Sequence, residues 1–503
     1  MDLLKSKLNR KNNTQLLTKK LHYVGASIDR QFPSLSKLIQ NSGAYALSSI
    51  ITPFISLALA PFLTHNLSSS EYGILTLLNT ILSLGASVTQ LGLSTAFFRA
   101  YNYDYSHHDD KRDVVATLTL LLFIVSLLAT LGTLSTSSFL ARFLLGHSSL
   151  SGLIAIGGGI MFVQNLTVPG FSWLRAENRT LFYSLLSIGN LLIALLANII
   201  LVGLLHWGIA GSLIATAGGY LSVVICTIPL ILLRVGIKIR MDIARNLLMF
   251  GAPLILNVVS YWTLQLSDRY LLSRYSSLVE TAKYGVSYNL GSALAIVVIT
   301  PFTLAWPYTM YATAKTKNAS YTFKIIFRWF SIFVLLVSFA FSFIGIFLLN
   351  CLFPVVYHSV AYVIPIVSTS IVFFGIYNVF MIGVNIKRKT WLGGIFTMIA
   401  AIVNFLLNMV LIPHYGALGA AISTLVAYVV LALVAYIVNQ RIYPIAFEVG
   451  RFVVALLIGS ALYVGSGLIT QHQGMFITLG VYVSALLFYA GLLIVLGKKQ
   501  YSQ

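Results

Sequence analysis

The sequence predicts an all-α polytopic membrane protein of about 14 transmembrane helices. Its expected form is two six-helix bundles related by a pseudo-two-fold axis along the membrane normal, plus two C-terminal helices. Three observations predict this. The chain is 58% hydrophobic and only 9% charged, against about 25% charged residues in an average soluble chain. Apolar runs of roughly 20 residues recur along it, the length that crosses a bilayer. The basic residues between those runs fall mostly in alternate connections, and so on one side of the membrane, as the positive-inside rule requires.

In chain order, Met1 to Gln40 is a basic tail without an apolar core, so no cleavable signal peptide is expected. Leu35, Leu38 and Ile39 give its end an amphipathic face; a surface-bound helix and a solvated tail both fit. Fourteen spans are then read: 43–64, 73–98, 114–137, 150–172, 181–204, 209–232, 247–267, 284–306, 326–350, 360–384, 391–412, 416–438, 450–470 and 475–497. The expected divisions are a cytoplasmic tail 1–40, a first bundle 41–246, a second bundle 247–445, and two extra helices with a short tail, 446–503.

With the N-terminus inside, twenty-eight of the 32 Lys and Arg residues fall on cytoplasmic segments. Only Arg142, Arg269, Arg274 and Lys283 fall outside. That orientation puts both termini in the cytoplasm and accounts for most of the +20 net charge without a nucleic-acid partner. Cys226 and Cys351 fall near opposite faces, so no disulfide is expected, and no Cys/His cluster has metal spacing.

The two bundles are inferred from internal echoes. Asn404 to Tyr428 reads as two apolar runs broken at Pro413-His414-Tyr415-Gly416, a hairpin of two spans opening on small residues. The same pattern surrounds His206-Trp207-Gly208, 208 positions earlier. Glu71-Tyr72-Gly73 matches Lys283-Tyr284-Gly285, Arg175 to Thr180 matches Asn385 to Thr390, and Ser42-Gly43-Ala44 matches Phe250-Gly251-Ala252, all at offsets of 208 to 212. Six spans per repeat is an even number, so the halves enter the membrane the same way round, with a substrate path between them.

Polar residues at helical spacing within a span are costly against lipid and face protein or a wet cavity. Span one carries Tyr45, Ser49, Thr52 and Ser56; span two carries Asn79, Ser83, Ser87, Gln90 and Ser94. Span seven carries Asn257, Tyr261, Gln265 and Asp268, and span eight Tyr284, Tyr288 and Ser292. One reading is a substrate cavity between the halves; the other is ordinary interhelical hydrogen bonding. Arg99 ends span two, about 140° round from Ser94, and reads either as a path residue or as a membrane anchor. Asp268 and Arg269, at the outer end of span seven, are candidates for gating or coupling; an ion pair that fixes the helix and a proton carrier are both open. The buried middle holds essentially no carboxylate, which suits a neutral or anionic substrate better than a cation.

No GxxxxGK[ST] loop, HExxH or G-x-S-x-G occurs, and no connection is long enough for a catalytic domain. The chain therefore reads as a transporter rather than an enzyme, with no cofactor. Leu67-Ser-Ser-Ser-Glu71-Tyr72-Gly73, followed by Gln90 to Arg99, resembles the first two spans of Wzx-type polysaccharide/O-antigen flippases. Asp268-Arg269-Tyr-Leu-Leu with Ala282 to Tyr288 resembles the start of their second half, and Leu411 to Tyr428 their late hairpin. These flippases belong to the multidrug/oligosaccharidyl-lipid/polysaccharide exporter superfamily, and the resemblance covers roughly residues 41–500.

The resemblance implies a V-shaped alternating-access transporter in the bacterial cytoplasmic membrane. It moves undecaprenyl-pyrophosphate-linked glycan to the outer leaflet for cell-surface polysaccharide such as O-antigen, capsule or exopolysaccharide. Its partners would be that lipid-linked oligosaccharide, the bilayer and other polysaccharide-assembly membrane proteins. The alternatives are a lipid-II-type or multidrug exporter, which basic residues within the lumen would favour in the lipid-II case, and a membrane-embedded glycan polymerase or ligase.

Overall fold

The computed structural model describes residues 55, 58–105, 107–470, 473 and 475–498. The described residues form helices and the short turns and loops that join them, without strands. The helices used below are α1 (Ser69–Thr89), α2 (Leu93–Arg99), α3 (His108–Ser135), α4 (Ser151–Ala176), α5 (Thr180–Asn198) and α6 (Gly208–Arg234). After them come α7 (Met241–Gly251), α8 (Leu254–Tyr275), α9 (Leu278–Leu294), α10 (Ala319–Leu352) and α11 (Val363–Phe380). The last three are α12 (Trp391–Ile442), α13 (Val449–Thr470) and α14 (Met475–Lys498).

Among the described residues, 11 helices are long and apolar enough to cross a membrane, and 12 if the bent pair α7–α8 is one span. That pair turns by 41°, where Pro253 supplies no backbone donor to the preceding turn. The 52-residue α12 holds two of the predicted spans. It is split at Gly416, where φ of 52° and ψ of −128° leave the helical region. The first predicted span lies mostly outside the described residues, so fourteen is not a count of them. The tail 1–40 lies outside them too.

The echoes read from the sequence recur as backbone geometry. Gly208 and Gly416 both sit at positive φ, the conformation that glycine adopts without cost. Asn178 and Arg388 share a left-handed φ of 56° and 55°. The bonds around them also match: Asn178 N–H to Arg175 O and Arg179 N–H to Leu174 O, against Arg388 N–H to Asn385 O and Lys389 N–H to Val384 O. Both are Schellman ends. Ser68 caps α1 by accepting from Glu71 N–H, as Ser277 caps α9 by accepting from Glu280 N–H. Capping therefore pairs Glu71 with Glu280, whereas the sequence match paired it with Lys283, about one helical turn further on.

Each half has its own packing. In the first, α4 packs on α3 and α6, and α5 on α6; in the second, α12 packs on α8 and α11, and α11 on α9 and α10. Leucines 181, 185, 192 and 196 of α5 are exposed and form an apolar surface suited to lipid. The halves meet where α1 packs on α8 and α9. The approach is close: a Cβ at Gly73 would lie 2.0 Å from the Leu278 carbonyl oxygen, so only glycine fits there. Helices α13 and α14 join the second half's core through Phe452, Ala455, Tyr489 and Leu493.

Candidate functional site

Two adjoining cavities, of about 660 Å³ and 520 Å³, share Tyr261, Gln265 and Phe374. The larger runs between α1 and the second half, with Ser83, Ser87, Asn257, Tyr377, Thr390 and Thr397 in its wall. The smaller adds Tyr288, Ser292, Thr300, Thr303 and Asn378. Four-residue spacing puts Asn257, Tyr261 and Gln265 on one face of α8, and that face is the cavity wall. The Gln265 amide donates to the Tyr261 hydroxyl at 2.7 Å and to the Tyr428 hydroxyl at 3.2 Å. Across the cavity, Trp262 Nε1–H reaches Ser83 Oγ at 3.1 Å and Thr80 O at 3.1 Å, stitching α8 to α1. Among the described residues, no charged side chain lines either cavity.

Not every striped residue takes part. Gln90 donates to Asn165 Oδ1 at 3.1 Å, and Asn165 in turn donates to Thr89 Oγ1 at 2.7 Å. Ser94 lies 3.4 Å from Ser172. Both thus face α4, inside the first half. Asn79 is exposed and lines neither cavity. Arg99 is half exposed, 3.5 Å from Asp104 and stacked over the Phe250 ring at 4.7 Å. Tyr45, Ser49 and Thr52 lie outside the described residues. Sequence reasoning passed over Tyr377, Thr390 and Thr397, although Thr390 and Thr397 begin a sparse polar stripe that runs on through Asn404 and Asn408, spaced seven, seven and four.

One turn beyond Gln265 is a buried ion pair. Asp268 and Arg269 are 1% and 5% exposed. One oxygen of the Asp268 carboxylate accepts the Arg269 backbone N–H at 2.8 Å; the other accepts the Tyr284 hydroxyl. The Arg269 guanidinium is 3.9 Å from the carboxylate. It donates to Gln265 O at 3.2 Å and Asn289 Oδ1 at 3.3 Å, and lies 4.6 Å from the centroid of Tyr288. Because Gln265 and Tyr288 are cavity walls, this cluster ties the cavity to the α8–α9 end of the molecule. That end is also the contact between the halves: a Cβ at Gly285 would lie 3.0 Å from Thr76 Cγ2 and 4.0 Å from Arg269 Nε.

Residues 38–310, more than half of the chain, match the model of the polysaccharide biosynthesis protein family. The chain belongs to that family. No curated protein matches it. Among solved structures, it is similar to the lipid II flippase MurJ in an inward closed conformation, with a TM-score of 0.72 at 14% identity over 90% of this chain and 98% of that one. It is also similar to an inward-facing multidrug-resistance MATE transporter of the MOP superfamily, with a TM-score of 0.57 at 15% identity over 79% and 97%. A Vibrio cholerae MATE transporter, VcmN, gives a TM-score of 0.56 at 14% identity over 83% and 97%. These likenesses show the fold. The chain is thus a multi-pass helical membrane protein of the polysaccharide biosynthesis family, with the fold of these transporters.

Proposed function

We propose that the protein carries an undecaprenyl-pyrophosphate-linked oligosaccharide from the cytoplasmic to the outer leaflet of the bacterial cytoplasmic membrane, by alternating access, for cell-surface polysaccharide synthesis. The observation that carries this reading is the polar part of the cavity walls: phenols, an indole, amides and hydroxyls set among apolar side chains such as Leu264, Phe374 and Ile371, with no charged side chain among the described residues. Such a wall offers hydrogen bonds to sugar hydroxyls and flat faces to sugar rings. It gives an organic cation no carboxylate to pair with, which weighs against a drug-cation exporter.

The moving units in this proposal are 41–246 and 247–445, with 446–503 attached to the second. In this reading the contacts at α1, α8 and α9 belong to the outward end, and rocking one half against the other parts them. The termini lie in the cytoplasm. A lipid-II-type substrate is the second reading, supported by the fold likeness to MurJ. Proteoliposomes loaded with fluorescent undecaprenyl-pyrophosphate glycans, lipid II or a cationic drug separate these. Glycan transfer that exceeds both other substrates supports the proposal; preferential transfer of lipid II or the drug overturns it.

A further inference from the structure

Away from the cavity, one carboxylate is surrounded by three cations. Glu448, just before α13, accepts from Arg328 through both Nε, at 2.7 Å, and Nη2. It also accepts from Arg451 Nη1 at 3.1 Å and lies 3.4 Å from Lys324 Nζ. Arg328 further donates to Gly497 O at 3.3 Å, near the end of α14. The cluster therefore joins α10, α13 and α14 at the membrane end where positive charges collect.

Among the described residues, three cations stand against one carboxylate here, an excess of two positive charges, in a place where Arg328 and Glu448 are only 11% and 10% exposed. A desolvated excess charge is costly without a counter-charge. Both carboxylate oxygens are already occupied by these donors. Lys324 and Arg451, at 22% and 33% side-chain exposure, keep further N–H donors by their chemistry. Ser331, one turn along from Arg328, is buried with no partner for its hydroxyl, and it lines a small cavity with Arg328, Glu448 and Arg451. Trp329, half exposed, packs its ring 3.5 Å from the Cβ position of Gly497; tryptophan is enriched at the headgroup level of membrane proteins.

We infer that Lys324 and Arg451 bind the phosphate of an anionic phospholipid headgroup, in the notch between α10 and α13. Glu448 and Arg328 hold those two side chains in place and do not themselves release. Basic pockets between helices at this face of a bilayer have the chemistry that takes such headgroups. A soluble phosphate offers the same oxygens without the acyl chains, and the test must separate the two.

The test is native mass spectrometry of the delipidated full-length protein titrated with phosphatidylglycerol or phosphatidylcholine. The variants are Lys324→Gln, Arg451→Gln and Arg451→Lys, each checked for an unchanged melting temperature. Wild type is expected to retain phosphatidylglycerol over phosphatidylcholine. Each Gln variant should weaken the anionic lipid about fivefold, with Arg451→Lys keeping most of the affinity and inorganic phosphate failing to displace the lipid. Equal lipid retention by wild type and both Gln variants overturns the inference. Displacement by millimolar inorganic phosphate also overturns it, and reassigns the site to the soluble ion. The readout is lipid retention, so it stands independently of what the protein transports.

Discussion

Tyr284 donates its hydroxyl to the Asp268 carboxylate, and through that bond α9 is tied to α8 beside the contact between the halves. The same carboxylate faces Arg269, which is buried with it. Removing the acid leaves a buried guanidinium without its counter-charge, at a cost of about 3–5 kcal/mol. Asp268→Ala is therefore expected to lower stability by that order, and Asp268→Asn by less, with flipping reduced in both. Glu71→Gln should cost under about 0.5 kcal/mol, because glutamine also completes a capping box. Melting temperature, expression and transport of the three variants check this together. Wild-type transport in both Asp268 variants would remove Asp268 from gating and from coupling.

Cysteine scanning separates cavity residues from packing residues. In a background with Cys226→Ser and Cys351→Ser, Asn257→Cys and Gln265→Cys are expected to react with a membrane-impermeant thiol reagent in detergent. Gln90→Cys should react slowly and instead lower stability by about 1–3 kcal/mol, since it strips a partner from buried Asn165. Fast labelling at Gln90 with none at Asn257 would reverse the assignment of the two faces.

That contrast shows what could be read without coordinates. Span positions were legible because each is an apolar run of bilayer length, and the two hairpin turns because glycine at 208 and 416 marks them. Periodicity placed Asn257, Tyr261 and Gln265 on one face, and the same logic placed Ser83, Ser87, Gln90 and Ser94 on another. It could not say which neighbour a face meets. Ser83 and Ser87 turn to the cavity, whereas Gln90, at the end of α1 just before the helix break at Leu91 and Gly92, and Ser94, beyond that break, meet α4. Glu280 was invisible for a related reason. Its carboxylate accepts Ala417 N–H at 3.3 Å, 137 positions away, and no local pattern encodes that contact.

Glu448 gives a pH dependence. Burial pushes its carboxyl up, but bonding to Arg328 and the nearby Arg451 and Lys324 outweigh this and hold it below the usual glutamate range. Its stabilising contribution is therefore fully present above the unfolded value of about 4.3 and is lost as pH falls through the lower folded value. The difference in melting temperature between wild type and Glu448→Gln should stay constant from about pH 8 to about pH 6. It should shrink below about pH 4. A difference undiminished at the acid end would show that the carboxylate is not the ionised partner of these cations.

Alternating access itself is tested most directly by locking the contact between the halves. The Gly285 Cβ position lies 3.0 Å from Thr76 Cγ2, within the geometry a disulfide needs. The measurement is flipping of a fluorescent undecaprenyl-pyrophosphate glycan in proteoliposomes by the Thr76→Cys/Gly285→Cys protein, oxidised and then reduced. The account predicts that the cross-link forms, that the oxidised protein does not flip, and that reductant restores transfer. Undiminished flipping with the cross-link fully formed would contradict it, because the halves would then not need to part at this end.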